Sequence, residues 1–290
     1  MIIKRSNGAT VLVAVLAVAA FGCATVSQPP DYARRTKRLV AAASRHRDAG
    51  DAEKARIYYE QALEISRGTD DRQGTADCLQ SLAVVNCELG DFDGAATLVA
   101  EAISVAREIG DVKREMDLIG ISGNIWYARG DSVLAEDCYR AALDLSERAG
   151  YASGVANQHN SLGLILKRRG EYEEAMRHYT VAARVYDRVG DKPGHATCLH
   201  NIGALLEAEA RYDEALERYN QALTLDKEAG NVPGIAVCLH NLGSVYLKLG
   251  APEKAAGYFQ RAYYVNSWIG RPDRAARDLE EAERARAASN

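Results

Sequence analysis

Gly50, Gly90, Gly130, Gly170 and Gly250 lie on one spacing of 40 residues, with Ala210 in the remaining place, and Gly110, Gly150, Gly190, Gly230 and Gly270 form a second series. A period of this length constrains the fold more than any other feature of the chain. Each period is one small unit that cannot bury its apolar face alone, so successive copies must stack and share a continuous core. Glycine takes the left-handed backbone that ends a helix at little cost, and the two interleaved series therefore mark the ends of alternate helices. An acidic residue follows several glycines of the first series, as in Gly50-Asp51, Gly90-Asp91, Gly130-Asp131 and Gly170-Glu171. A carboxylate there suits the N-terminus of the next helix. The expected unit is helix, tight turn, helix.

Composition bears on the alternative of a sheet and disfavours it. Only six prolines occur in 290 residues, and 47% of the residues are hydrophobic against 26% charged, enough to bury a substantial helical interior. The 36 basic and 40 acidic residues give a net charge of −4 and are spread along the chain. No nucleic-acid partner is expected from that balance. One basic run stands out at residues 34–47, with Arg34, Arg35, Lys37, Arg38, Arg45 and Arg47 and no acid among them. A solvated helix face accounts for it better than a membrane-binding patch.

Within the unit, the second helix carries Ala55, Ala95, Ala135, Ala175, Ala215 or Ala255, and seven residues later Ala62, Ala102, Ala142, Ala182, Ala222 or Ala262. Small residues two turns apart let a neighbouring helix approach closely. Between them stands a larger residue, Tyr59, Val99, Tyr139, Tyr179, Tyr219 or Phe259, to fill the space beside the alanines. The first helix carries Gly123, Gly163, Gly203 and Gly243, with Ala83 at the same place in an earlier copy. A mid-helix glycine costs about 1 kcal/mol against alanine, so close packing is the expected reason for its recurrence.

The arrangement of Leu242-Gly243, Tyr246, Gly250, Ala255, Phe259 and Ala262 resembles the tetratricopeptide repeat, and it recurs from about residue 39 to residue 270. The unit here is longer than the family's usual one and lacks its closing proline, like the extended variety in kinesin light chains and in adaptors of spindle orientation. The resemblance implies an all-α, right-handed α-solenoid of about six helical hairpins over residues 32–270, closed by a capping helix and tail over 271–290. It also implies a protein that binds a partner in a concave groove and is not an enzyme.

The N-terminal residues carry a different message. Lys4 and Arg5 precede an uncharged stretch over residues 8–21 that is short for a permanent membrane span. Ala20-Phe21-Gly22-Cys23 then resembles the bacterial lipoprotein cleavage box, although Ala20 and Phe21 depart from its usual residues. By that resemblance residues 1–22 are a signal peptide, Cys23 is the lipidated N-terminus, and the chain sits in the cell envelope, facing the periplasm from the outer membrane. Secretion with cleavage nearby, or an uncleaved tether, are the alternatives. Pro29 and Pro30 give residues 23–31 the character of an anchor and spacer.

Five cysteines remain: Cys78, Cys87, Cys138, Cys198 and Cys238. Cys78 and Cys87 lie about 13 Å apart by helical rise, too far for a disulfide, and Cys198 and Cys238 fall on equivalent places of successive copies. All five are expected to be small core residues. No pair has zinc-finger spacing, so neither a metal nor a cofactor is expected.

In the family, the first helix of each hairpin lines the concave wall. In the last copy Leu239, Leu242, Gly243, Tyr246 and Leu249 fit the buried face by periodicity, leaving His240, Asn241, Ser244 and Lys248 on an adjoining stripe. Carried back along the repeat, the stripe includes His200 and Asn201, then Asn157, Asn160 and Arg168, then Asn124. Asparagine both donates and accepts, so a row of asparagines can pair with an extended peptide backbone without reading its side chains. An acidic ligand group is expected toward Arg168, Lys248, His200 and His240. The histidines form no catalytic signature with their neighbours, and no catalytic residue is expected. A pilotin-like assembly factor and a self-associating array are the competing readings.

Overall fold

The computed structural model describes residues 31–289, and among them every regular element is a helix. The six hairpins are α1 (Asp31–Asp48) with α2 (Ala52–Gly68), α3 (Arg72–Glu88) with α4 (Phe92–Glu108), α5 (Val112–Arg129) with α6 (Ser132–Arg148), α7 (Ala152–Arg169) with α8 (Tyr172–Val189), α9 (Lys192–Ala208) with α10 (Tyr212–Ala229), and α11 (Val232–Lys248) with α12 (Pro252–Trp268). A final helix, α13 (Pro272–Ser289), packs on α12. Each helix packs on the next in sequence, and α3, α5, α7, α9 and α11 also touch one another in succession. This is a stacked α-solenoid whose first helices make a continuous wall.

The turns follow the glycine series. Every glycine of both series has positive φ, from +66° at Gly230 to +96° at Gly130. Ala210 at φ 58° and Asp70 at φ 55° adopt the same conformation without glycine's freedom. The following residue closes each turn, as where the Asp91 amide donates to the Asn86 carbonyl at 2.8 Å. Asp51, Asp91 and Asp131 then cap α2, α4 and α6 by accepting from the amide three residues on. Glu171 occupies the equivalent place but makes no cap bond. Its longer side chain is poorly matched to the short loop that an aspartate closes on that amide.

The alanine pairs explain the close stacking. All twelve alanines of the two second-helix series are fully buried, and so, nearly, are the larger residues between them. A Cβ on Gly123, Gly163, Gly203 or Gly243 would stand 2.5 to 2.8 Å from the ring of Tyr139, Tyr179, Tyr219 or Phe259. In the second hairpin the smaller Val99 stands where the others have a ring, and there the first helix carries Ala83. Two expectations need correction. Leu249 is 41% exposed because it caps α11 at the turn, outside the buried face. Cys87 and Cys138 are only half-buried, whereas Cys78, Cys198 and Cys238 are core residues, and all five thiols are free.

The proposed signal peptide, Cys23 and most of the spacer lie outside the described residues. None of the described helices is long and apolar enough to cross a membrane.

Candidate ligand-binding wall

The wall is built from polar residues of α5, α7, α9 and α11. Three of the expected residues meet in one place. Asn124 of α5 and Asn157 and Asn160 of α7 line a polar cavity of about 300 Å³ with Asp117, Ser161 and Gln158. Second-helix tyrosines hold two of these amides: Tyr139 donates its hydroxyl to Asn124 Oδ1 at 2.7 Å, and Tyr186 donates to Asn157 Oδ1. Each tyrosine occupies one lone pair of a carbonyl, and the NH₂ groups of the exposed Asn124 and Asn157 make no hydrogen bond among the described residues. Asn160 Oδ1 accepts from Asn201 Nδ2 at 2.9 Å, so the amide row continues from α7 to α9. Burial holds the carboxyl of Asp117 above its ordinary value.

A second cavity, of about 450 Å³, lies where α11 meets α13. His240 and Asn241 line it, together with Arg274 and Arg277. The two arginines were not part of the expected site, because α13 reads as a charged capping helix in the sequence. Its neighbours alone show that this face looks into the end of the wall.

The remaining expected residues are already engaged. Arg168 lies over the Tyr127 ring, 5.4 Å from its centroid, and Lys248 pairs with Glu207 at 3.0 Å. Glu207 also accepts from Ser244 and from the Tyr219 hydroxyl, forming a small polar knot between α9, α10 and α11. His240 Nδ1 stands 2.7 Å from Asp278 Oδ1 and is about one-third exposed. His200 departs furthest from the expectation. Its side chain is 13% exposed and faces Asp226 of α10 and Cys238 of α11, away from the open wall. Helical periodicity places a residue on a face but does not say which neighbouring helix covers it.

One register of the repeat collects buried polar groups. It joins a first-helix residue, a second-helix residue 26 positions on, and the next first helix 38 positions on. Along the solenoid the trios are Val40, Ser66 and Cys78; Gln80, Ala106 and Leu118; Gly120, Ser146 and Gln158; Asn160, Tyr186 and Cys198; His200, Asp226 and Cys238; and His240, Asn266 and Asp278. The contacts at the last junctions are direct: Asn266 Nδ2 donates to Asp278 Oδ2 at 2.7 Å, and His200 Nε2 stands 3.1 Å from Asp226 Oδ2. A separate imidazole pair, His159 and His178, has its Nδ1 atoms 2.9 Å apart between α7 and α8. Burial pushes both of these imidazoles below their ordinary value.

Comparisons with known proteins agree with this architecture. The model of a family described as tetratricopeptide repeat matches residues 38–108, 155–228 and 199–264. No curated protein sequence matches the chain. Among solved structures, the chain is similar to BtubC (BKLC) from P. vanneervenii, with 23% identity, a TM-score of 0.62, and coverage of 81% of this chain and 92% of that one. It is also similar to a Rap protein complexed with competence and sporulation factor, at 13% identity and a TM-score of 0.63 over 87% of this chain and 75% of that one. A STAND-class signal transduction ATPase with a tetratricopeptide repeat sensor, from Pyrococcus horikoshii, matches at 14% identity and a TM-score of 0.66. There the match covers 90% of this chain and 41% of the other. At these identities the likeness is one of fold.

Proposed function

The chain belongs to the tetratricopeptide repeat family, and from that premise we propose that it is a cell-envelope adaptor, held to a membrane by lipid on Cys23, that binds an extended segment of a partner protein along its first-helix wall. The observation that carries this reading is the polar cavity where Asn124, Asn157 and Asn160 meet. An amide row with two carbonyls held by tyrosines and the third by Asn201 presents fixed donors, which an unpaired peptide backbone can use. The Rap protein complexed with competence and sporulation factor shows that a solenoid of similar fold can take a ligand.

The ligand's acidic end lies toward Asn241, Arg274 and Arg277. Neither arginine makes an ion pair among the described residues, so both are available to a carboxylate. Arg168 and Lys248 contribute less to this polarity than the sequence suggests, because Tyr127 and Glu207 already occupy them.

A photo-crosslinking residue placed at Asn157 should capture a partner from intact cells, and one placed at Glu217, on the exposed face of α10, should not. Equal capture at both places would remove the wall as the binding surface. Cys23→Ser should shift the chain from the membrane to the soluble fraction, and retention in the membrane would exclude a lipid anchor on that residue. A second reading, self-association, is favoured by Tyr264 and Trp268 on α12, which are 62% and 77% exposed. Mass measured by light scattering over a hundredfold range of concentration decides it, since a constant monomer would rule it out.

A further inference from the structure

The junction between the fifth and sixth hairpins brings together three groups of a kind that bind transition metals. His200 comes from α9, Asp226 from α10 and Cys238 from α11, and one ligand atom of each lies within 4.8 Å of the other two. The separations are 3.1 Å from His200 Nε2 to Asp226 Oδ2, 3.2 Å from His200 Nε2 to Cys238 Sγ, and 3.6 Å from Cys238 Sγ to Asp226 Oδ2. A tetrahedral zinc ion with nitrogen, oxygen and sulfur ligands holds its donors about 3.3 to 3.6 Å apart. The three side chains therefore need move only a few tenths of an ångström to share one ion.

We propose that His200, Asp226 and Cys238 bind a divalent ion of the zinc class and so clamp the fifth hairpin to the sixth. Charge supports the assignment. A neutral imidazole, a carboxylate and a thiolate around a divalent ion sum to zero, which suits a site where Asp226 and Cys238 are fully buried. Binding replaces the thiol proton of Cys238 with the metal and releases that proton to solvent. Asn231 orients the carboxylate, because its Nδ2 donates to Asp226 Oδ1 at 2.7 Å and leaves Oδ2 directed at the other two groups. Three protein ligands leave a fourth position for water. His200 is the one member in contact with solvent, so an ion reaches the site past its ring.

The same register elsewhere provides the control. The trio one junction earlier is Asn160, Tyr186 and Cys198, where Cys198 is equally buried but faces an amide and a phenol. The trio one junction later, His240, Asn266 and Asp278, has no thiol. Among the described residues, only His200, Asp226 and Cys238 form a group of this composition and closeness.

Cobalt(II) added to the reduced, metal-free, full-length chain should give a thiolate-to-cobalt charge-transfer band that saturates at one ion per chain, and zinc should bleach it. Cys238→Ser should abolish the band and Cys198→Ser should retain it. His200→Gln, at the most exposed member, should weaken cobalt binding at least tenfold, and Asn231→Leu should weaken it by about 10- to 100-fold. Circular dichroism confirms that each variant keeps its helices. If Cys238→Ser fails to fold, His200→Gln decides, because unchanged affinity there would overturn the site. No thiolate band in the native chain, or a band that survives Cys238→Ser, would also overturn it and leave a hydrogen-bonded trio only.

Discussion

The second hairpin, α3 with α4, and the fifth, α9 with α10, share a backbone plan and differ in what fills it. The second places Ala83 near Val99 and closes its junction with Ala106 and Leu118, both fully buried. The fifth places Gly203 beneath the Tyr219 ring and closes its junction with Asp226 and Cys238 beside His200. The second turns on Gly90 and caps its second helix with Asp91, whereas the fifth turns on Ala210 and has the uncapping Arg211 in the same place. Alanine spacing and helix length are thus enough to keep the stack regular. The volumes and polar groups at the other positions can vary as long as they vary together, because each junction packs only against its neighbours.

The largest test of that difference is at the junction. In chelator, Asp226→Ala should cost about 3 kcal/mol in urea unfolding, because it leaves the partly buried His200 and the Asn231 amide without their acceptor. The reciprocal change, Ala106→Asp, buries a carboxylate beside the neutral Gln80 and the apolar Leu118 and should cost about as much. If both are tolerated, the junctions are not locally specified.

Next comes the pairing of small with large. Gly203→Ala puts a methyl group 2.7 Å from Tyr219, and overpacking should outweigh the gain in helix propensity by about 1 to 2 kcal/mol. Ala83→Gly should lose about 1 kcal/mol for the opposite reason. A double-mutant cycle of Gly203→Ala with Tyr219→Val should give a coupling of about 1 kcal/mol, and strict additivity would separate the two positions.

The turn residues give an effect of similar size and opposite sign in the two hairpins. Ala210→Gly should stabilise by about 1 kcal/mol, since a Cβ at φ 58° is strained, and Gly90→Ala should destabilise by about as much. At the caps, Asp91→Ala should cost about 1 kcal/mol, while Arg211→Ala should leave stability nearly unchanged, because its exposed ion pairs contribute little.

The smallest expected effect is in pH dependence, and it separates the second hairpin from the fourth, α7 with α8, which packs against the fifth. The second hairpin has no histidine. In α7 and α8, burial holds His159 and His178 below their ordinary value, and His178 also feels the charge of His159. The unfolded chain therefore takes up protons first. The contribution to stability is complete above about pH 6.5 and is lost as pH falls through that value toward the lower folded one. His178→Gln should flatten this slope, while amide exchange in α3 and α4 should not change with it.

The glycine and alanine series carried the fold, since turn conformation and close helix approach are local requirements that recur visibly every 40 residues. They also gave the amide row of Asn124, Asn157, Asn160 and Asn201, because helical periodicity separates an outer stripe from a buried one. Arg274, Arg277 and the trio of His200, Asp226 and Cys238 were not legible in that way. Asp226 reads as one more charged residue near the end of α10, and His200 as one more polar residue on the outer stripe. Only stacking brings residues 26 and 38 positions apart to one point, and only the covering helix decides whether a side chain faces solvent or a junction. The sequence by itself determined the period, the helices and their shared core, which depend on short-range geometry. Tertiary structure decided which polar groups meet, because that depends on distances between helices that no spacing along one helix contains.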